Sequence, residues 1–136
     1  MLRLYSILLS IVSFALPIFG WFSKKMHLFV QGRKNLIQRI RKKRNPQDKI
    51  VWIHAASLGE YEQAVPIIHS LRKEYTSYKI WLTFFSPSGY EIKKNTEEVD
   101  YVSYMPLDTM KNAKQFIQAL NPELAIFVKY EIWPNF

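Results

Sequence analysis

Between Ile50 and Val128 the chain alternates short apolar runs with stretches of 3.6-residue periodicity, and this alternation restricts the fold more than any other feature. Ile50–Ala55, Lys79–Phe85, Asp100–Tyr104 and Leu124–Val128 have the length and apolar density of buried strands. Glu60–Tyr75 reads as a helix with Ala64, Ile67, Ile68, Leu71 and Tyr75 on one side, and a short helix follows near Tyr90–Thr96. A further helix, capped by Asp108 or Thr109, carries Met110, Ala113, Phe116, Ile117 and Leu120 and stops at Asn121-Pro122. Strands that alternate with helices predict an α/β fold, a Rossmann-like parallel sheet with right-handed crossovers.

In such a sheet the turns after the strands share one edge, where ligands bind. Ser57–Glu60, Ser86–Gly89, Pro106–Asp108 and Glu131–Asn135 would then line one cleft. The first turn delivers a single carboxylate, Glu60, to a helix start, a suitable place for a catalytic base. Ser57-x-x-Glu60 equally fits a capping box, with each residue bonding the other's backbone. Ser57, Gly59, Ser86, Ser88, Gly89 and Glu131 are the candidate substrate-binding residues, and Trp133 and Pro134 are expected to pack their turn. His54, at a strand end, reads as a packed or hydrogen-bonded histidine. With Glu60 and Asp108 it matches no established ligand spacing, so no metal site is expected. The only glycines, Gly20, Gly32, Gly59 and Gly89, form neither a dinucleotide fingerprint nor a phosphate-binding P-loop.

The chain has no cysteine, which excludes disulfides, thiolate catalysis and a Cys-ligated zinc site. Its net charge of +8 is unevenly distributed. The first acid is Asp48; residues 1–47 hold ten Lys/Arg, leaving nine of the nineteen bases against all eleven acids in the remainder. Leu4–Phe22 is a run of nineteen uncharged residues, near the length of a membrane-crossing helix, with Trp21 and Phe22 at an interfacial position. Pro17 favours an anchor over a full span. Lys24–Arg44 then carries nine bases and no acid, with Phe29, Leu36, Ile37 and Ile40 spaced to share a helical face. That pattern suits an anionic membrane surface and places the downstream domain in the cytosol; a solvated flank is the plainer alternative. The aromatics do not alternate with the bases, so nucleic acid is a poor partner. The expected organisation is an anchor over residues 1–23, a basic arm over 24–47 and an α/β domain over 48–136.

Four of these segments, W-I-H-A-A-S-L-G-E at Trp52–Glu60, T-F-F-S-P-S-G-Y at Thr83–Tyr90, M-P-L-D-T at Met105–Thr109 and E-I-W-P-N at Glu131–Asn135, carry a resemblance to a known family. The chain resembles the N-terminal half of Kdo transferase, the 3-deoxy-D-manno-octulosonic acid transferase of lipopolysaccharide synthesis. The resemblance implies the acceptor domain of a glycosyltransferase-B fold, holding a lipid A precursor, with an absent C-terminal half that holds CMP-Kdo. It implies an inverting reaction without metal or other cofactor at the inner membrane, in which the Glu of S-x-G-E, here Glu60, takes the proton from the attacking hydroxyl. A helix N-terminus stabilises the charged carboxylate, and Gly59 leaves room for the acceptor sugar. Glu131 matches the second acid of the family's E-T-E-[IL]-W-P-N pattern. The first acid is replaced by Lys129 and the Thr by Tyr130. Another membrane-associated glycosyltransferase-B enzyme shares most of these features, and a non-catalytic membrane adaptor shares the anchor but has no need of Glu60.

Overall fold

A computed structural model of the chain describes residues 2–19, 23–129 and 131–136. Three helices come first: α1 (Leu2–Phe19), α2 (Lys24–Arg33) and α3 (Leu36–Lys43). Strands and helices then alternate as β1 (Lys49–Ala55), α4 (Leu58–Glu74), β2 (Tyr78–Phe84), α5 (Pro87–Lys93), β3 (Tyr101–Tyr104), α6 (Met110–Leu120) and β4 (Pro122–Phe127). The four strands form one sheet in the order β3-β2-β1-β4, with every pairing parallel. The expected α/β alternation is therefore present, and all four strands deliver their following turns to one edge.

The period of two in β1 divides the core. Val51, Ile53 and Ala55 face α4, where they pack with Tyr61, Ala64 and Ile68. Ile50 and Trp52 face the other way, onto Phe116, Ala119 and Leu120 of α6 and onto Leu36 and Ile40 of α3. Helices on both faces bury β1 from Ile50 to Ala55, which is why it reads as an unbroken apolar run rather than an alternating one, whereas the edge strand β4 stays largely exposed. The apolar stripe of α4 is narrower than its sequence suggests: Ile67 and Tyr75 are 42% and 53% exposed. The buried row runs through Tyr61, Ala64 and Ile68 instead.

The basic arm does not present one continuous helical face. Asn35, with φ 52°, separates α2 from α3, so Phe29 and Leu36 belong to different helices. Leu36 and Ile40 are core residues at 5% and 1% exposure, because α6 alone cannot cover Ile50, Trp81 and Tyr104. Arg44 closes the arm by donating its Nε–H to Leu120 O at 2.6 Å, at the carboxyl end of α6 where cations are favoured. Part of the arm's charge thus serves the fold.

Helix α1 turns Leu4, Ile7, Leu8, Ile11 and Phe14 outward, all more than half exposed. Its Tyr5 hydroxyl donates to Asp108 Oδ2 at 2.9 Å, which fastens the helix to the β3–α6 turn. Among the described residues no helix is long and apolar enough to cross a membrane. Trp21 and Phe22, expected at a membrane interface, lie outside the described residues.

Candidate functional site

The four turns meet as the parallel topology requires, and backbone bonds stitch them together. Ser86 N donates to Ala56 O at 2.8 Å, Met105 N to Phe84 O at 2.8 Å and Val128 N to His54 O at 3.0 Å. Asp108 joins the third turn to the fourth: its Oδ1 accepts from Asn135 N at 3.1 Å, and its carbonyl accepts from Asn135 Nδ2 at 2.6 Å. Thr109, not Asp108, caps α6, accepting from Asn112 N at 3.2 Å.

Glu60 lies in the first turn of α4 at 9% exposure. Its Oε2 accepts a short hydrogen bond from Ala56 N, while Ser57 occupies the N-cap position without any side-chain cap bond. Only half of the expected capping box exists, shifted by one residue. The bond aims the carboxylate back over the strand end and commits one oxygen; Oε1 makes no hydrogen bond among the described residues and is the atom available for a proton. Gly59 is exposed, and a Cβ built there meets nothing within 4 Å, so the approach past the turn is open.

Across the edge stands a second carboxylate. Burial raises the pKa of Glu131, and the neighbouring charge of Glu60 raises it further, against the opposing effects of a bond from Trp133 and of Lys129. Trp133 Nε1 donates to Glu131 Oε2 at 2.9 Å. His54 Nε2 sits 3.2 Å from the same oxygen, at ion-pair distance but without the alignment of a hydrogen bond. On the other side of the ring, Nδ1 lies 2.9 Å from Thr83 Oγ1.

The tautomer of His54 follows from Trp52. An indole N–H only donates, and Trp52 Nε1 reaches Thr83 Oγ1 at 2.8 Å, so that oxygen accepts and its own hydrogen must go elsewhere. His54 Nδ1 at 2.9 Å is a better acceptor than Ile53 O at 3.5 Å. The ring proton is thereby assigned to Nε2, which faces Glu131. Trp52, Thr83 and His54 form one buried hydrogen-bonded chain that ends 3.2 Å from the half-buried Glu131. His54 is packed and hydrogen-bonded, as its strand-end position predicts.

The remaining candidates divide. Ser86 caps α5 by accepting from Ser88 N at 3.3 Å, and the two hydroxyls are 2.7 Å apart, so both serve the local turn. Gly89 is buried, not open to the cleft; a Cβ there would fall 2.4 Å from Phe84 Cδ1 and 3.2 Å from Leu58 N. Its lack of a side chain lets α5 pack against β2 and the start of α4. Lys129, which replaces the first family acid, has φ 65°, a strained conformation for a residue with a side chain. Tyr130, the companion departure, lies outside the described residues. No group of three or more His, Cys, Asp or Glu side chains is arranged to hold a metal ion among the described residues.

Arg33 and Thr83 are the site residues that sequence reasoning passes over. Thr83 opens the T-F-F-S-P-S-G-Y segment but reads as an ordinary strand residue. Arg33 is one base among nine, and only the fold brings it under the sheet edge. Its Nη2 donates to Phe85 O at 2.8 Å and its Nη1 to Phe29 O at 3.0 Å, with the guanidinium 3.7 Å from the Phe29 ring centroid.

The buried histidine gives the chain a pH dependence. Burial pushes its pKa down to about 4, opposed by the Thr83 backbone and helped by the Arg33 charge. Unfolding restores a value of about 6.5, so the unfolded chain binds the proton first. The stabilisation is therefore complete above about pH 6.5 and is lost as the pH falls toward about 4, by up to about 3 kcal/mol. Glu131 works in the opposite sense, because a raised carboxyl pKa favours the fold at low pH and ceases to do so as the pH rises through it. Urea midpoints should therefore fall between about pH 7.5 and about pH 5, and His54→Asn should reduce the difference. An identical drop in the variant would assign the pH dependence to other groups.

The sequence signature of the family described as 3-Deoxy-D-manno-octulosonic-acid transferase (kdotransferase) matches residues 31–136, which takes in α3, the sheet and all four turns. A 3-deoxy-D-manno-octulosonic acid transferase of Haemophilus influenzae is 35% identical over 91 residues, 66% of this chain and 21% of the relative. That of Aquifex aeolicus is 35% identical over 86 residues, 62% of this chain and 24% of the relative. A protein of Arabidopsis thaliana described as a probable mitochondrial 3-deoxy-D-manno-octulosonic acid transferase is 32% identical over 91 residues, 66% of this chain and 20% of the relative. The matched region is thus between a fifth and a quarter of each relative's length. With a family signature that extends over the whole α/β unit, the chain belongs to the 3-deoxy-D-manno-octulosonic acid (Kdo) transferase family.

Proposed function

We propose that this chain is the acceptor-binding half of a two-domain, glycosyltransferase-B enzyme that transfers Kdo from CMP-Kdo to a lipid A precursor. The observation that carries the reading is the placement of Glu60, a carboxylate held by one oxygen at the open carboxyl edge of a parallel sheet. As the acceptor hydroxyl oxygen bonds to the anomeric carbon of Kdo, its proton passes to the uncommitted Glu60 oxygen. The bond to phosphate breaks on the far side, and CMP leaves with the electron pair, which inverts the anomeric centre. Nothing in this route requires a metal. Glu131 acts as a binding and positioning carboxylate, its own proton affinity raised by burial and by the neighbouring Glu60 charge.

The same reading places the protein at the inner membrane, with the α/β unit in the cytosol. The outward apolar side chains of α1 and the bases of the arm support an anchored arrangement. The whole protein should sediment with membranes, and deletion of residues 1–22 should release much of it, more completely at high salt, where the remaining bases are screened. Retention of a protein lacking residues 1–44 would contradict the location. The activity itself is tested by supplying the full-length protein with a lipid A precursor and either CMP-Kdo or UDP-sugars. Transfer from CMP-Kdo alone is expected. Transfer from a UDP-sugar would make it a different glycosyltransferase, and neither activity, with the membrane binding intact, would point to an adaptor.

A further inference from the structure

Arg33 is a largely buried cation with no counter-ion among the described residues. Five N–H donors belong to a guanidinium, and two carbonyls satisfy only two of them. Its Nε is buried and has no hydrogen-bond partner among the described residues. The aromatic rings of Phe29, Phe85 and Tyr104, at 3.7, 4.8 and 4.9 Å, replace the carboxylate such a charge would ordinarily have. A cation so placed calls for an anion.

The space beside it is suited to one. A cavity of about 370 Å³ is walled by Arg33, Asn35, Gln38, Arg41, Asn112 and Gln115, together with Leu36, Ile37 and the Pro106-Leu107 turn, and no acidic residue among the described residues lines it. The first turn of α3 opens into the same cavity, and its Asn35 makes no side-chain cap bond, so helix-start amides add to the positive field there. Asn112 and Gln115 form a shared wall. On their other side lies a cavity of about 890 Å³ bounded by Met110 and by Ile7, Ile11 and Phe14 of α1. A polar, cationic chamber thus adjoins a mixed groove in which Ile7, Ile11, Phe14 and Met110 supply apolar surface beside Thr109 and Lys111.

We propose that the chamber between α3 and the β3–α6 turn is a phosphate subsite, in which Arg33 and Arg41 hold the phosphate monoester of a lipid whose apolar part lies along α1. The anion site stands on the geometry alone. Its assignment to the acceptor rests on the reading of the chain as an acceptor-binding half, and would place the acceptor's phosphate on the α6 side of the sheet edge while its hydroxyl meets Glu60.

The test uses binding, not turnover, so that it stands apart from the catalytic assignment. Burial slows exchange of the Arg33 Nε–H and makes its nitrogen–proton resonance observable. Inorganic phosphate should shift that resonance saturably, and chloride at matched ionic strength should not. Arg33→Gln removes packing and threatens the fold, so the exposed Arg41→Gln is the informative variant; it should weaken phosphate binding about tenfold, the loss of one charge-assisted contact. Lys42→Gln removes the same charge one residue away, outside the cavity, and should leave the affinity within about twofold. Vesicles of phosphatidylcholine with phosphatidic acid should bind more tightly than those with phosphatidylglycerol at matched surface charge, and Arg41→Gln should erase the preference. Absence of a saturable shift overturns the site, as does equal weakening by Arg41→Gln and Lys42→Gln. A phosphate response without preference for phosphatidic acid overturns the lipid assignment. Either failure, alongside intact transfer from CMP-Kdo, would remove the subsite and leave the proposed reaction standing.

Discussion

Glu60→Gln in the full-length enzyme should lower turnover by about 10²-fold or more while leaving the fold nearly unchanged. The amide keeps the size of the side chain and still offers an oxygen to Ala56 N, the bond that orients the carboxylate. What it loses is the capacity to take a proton. The expected stability change is about 1 kcal/mol or less, as for a weakened cap. Removing the Glu60 charge should also lower the raised proton affinity of Glu131, because one of its causes disappears. Ser57→Ala is the control: since Ser57 makes no side-chain cap bond, stability should be almost insensitive to it. The measurements are single-turnover rates and urea midpoints on the same preparations. Near-normal turnover for Glu60→Gln would reduce Glu60 to a turn residue and sink the catalytic assignment.

Trp52→Ala should cost about 3–5 kcal/mol, enough to abolish cooperative unfolding in a chain of ordinary marginal stability. Trp52 is 1% exposed and its ring lies 5.0 Å from those of Phe116 and Phe127 and 5.7 Å from that of Phe136. Its removal opens a cavity between β1 and α6 and leaves Thr83 Oγ1 without a donor. Trp52→Phe separates these losses. It retains much of the packing while deleting the N–H and one ring of the indole, so it should cost about 1–2 kcal/mol. It should also free Thr83 to accept from His54 Nδ1–H and thereby unsettle the ring proton that faces Glu131. Near-ultraviolet circular dichroism and nitrogen chemical shifts of His54 report the two effects. A loss below about 1 kcal/mol for Trp52→Ala would mean that α6 does not pack on the sheet as described.

The strand–helix alternation, the parallel sheet and the convergence of four turns were legible because hydrophobic period and turn chemistry are local properties of the chain. Glu60 could be singled out for the same reason: a small-residue turn between a strand and a helix fixes where its carboxylate emerges. Membership of the family was likewise readable, since its motifs lie within those turns. Three things were not local. Leu36 and Ile40 belong to the core only because the sheet face carrying Ile50, Trp81 and Tyr104 is too wide for α6, a requirement that no window of sequence contains. The capping box failed at Ser57 and shifted to Ala56 because the backbone of the strand end, not the side-chain pattern, decides which N–H points at Glu60. Gly89 has the motif position of a ligand contact, yet its missing side chain is consumed by Phe84, a neighbour set by the crossing of α5 over β2. Sequence alone determined which residues could do chemistry and at which edge of the sheet they would gather. Only the tertiary structure decided which polar groups are already satisfied there, because Trp52 and His54 on β1 find their hydrogen-bond partner, Thr83, on β2, and meet it through packing.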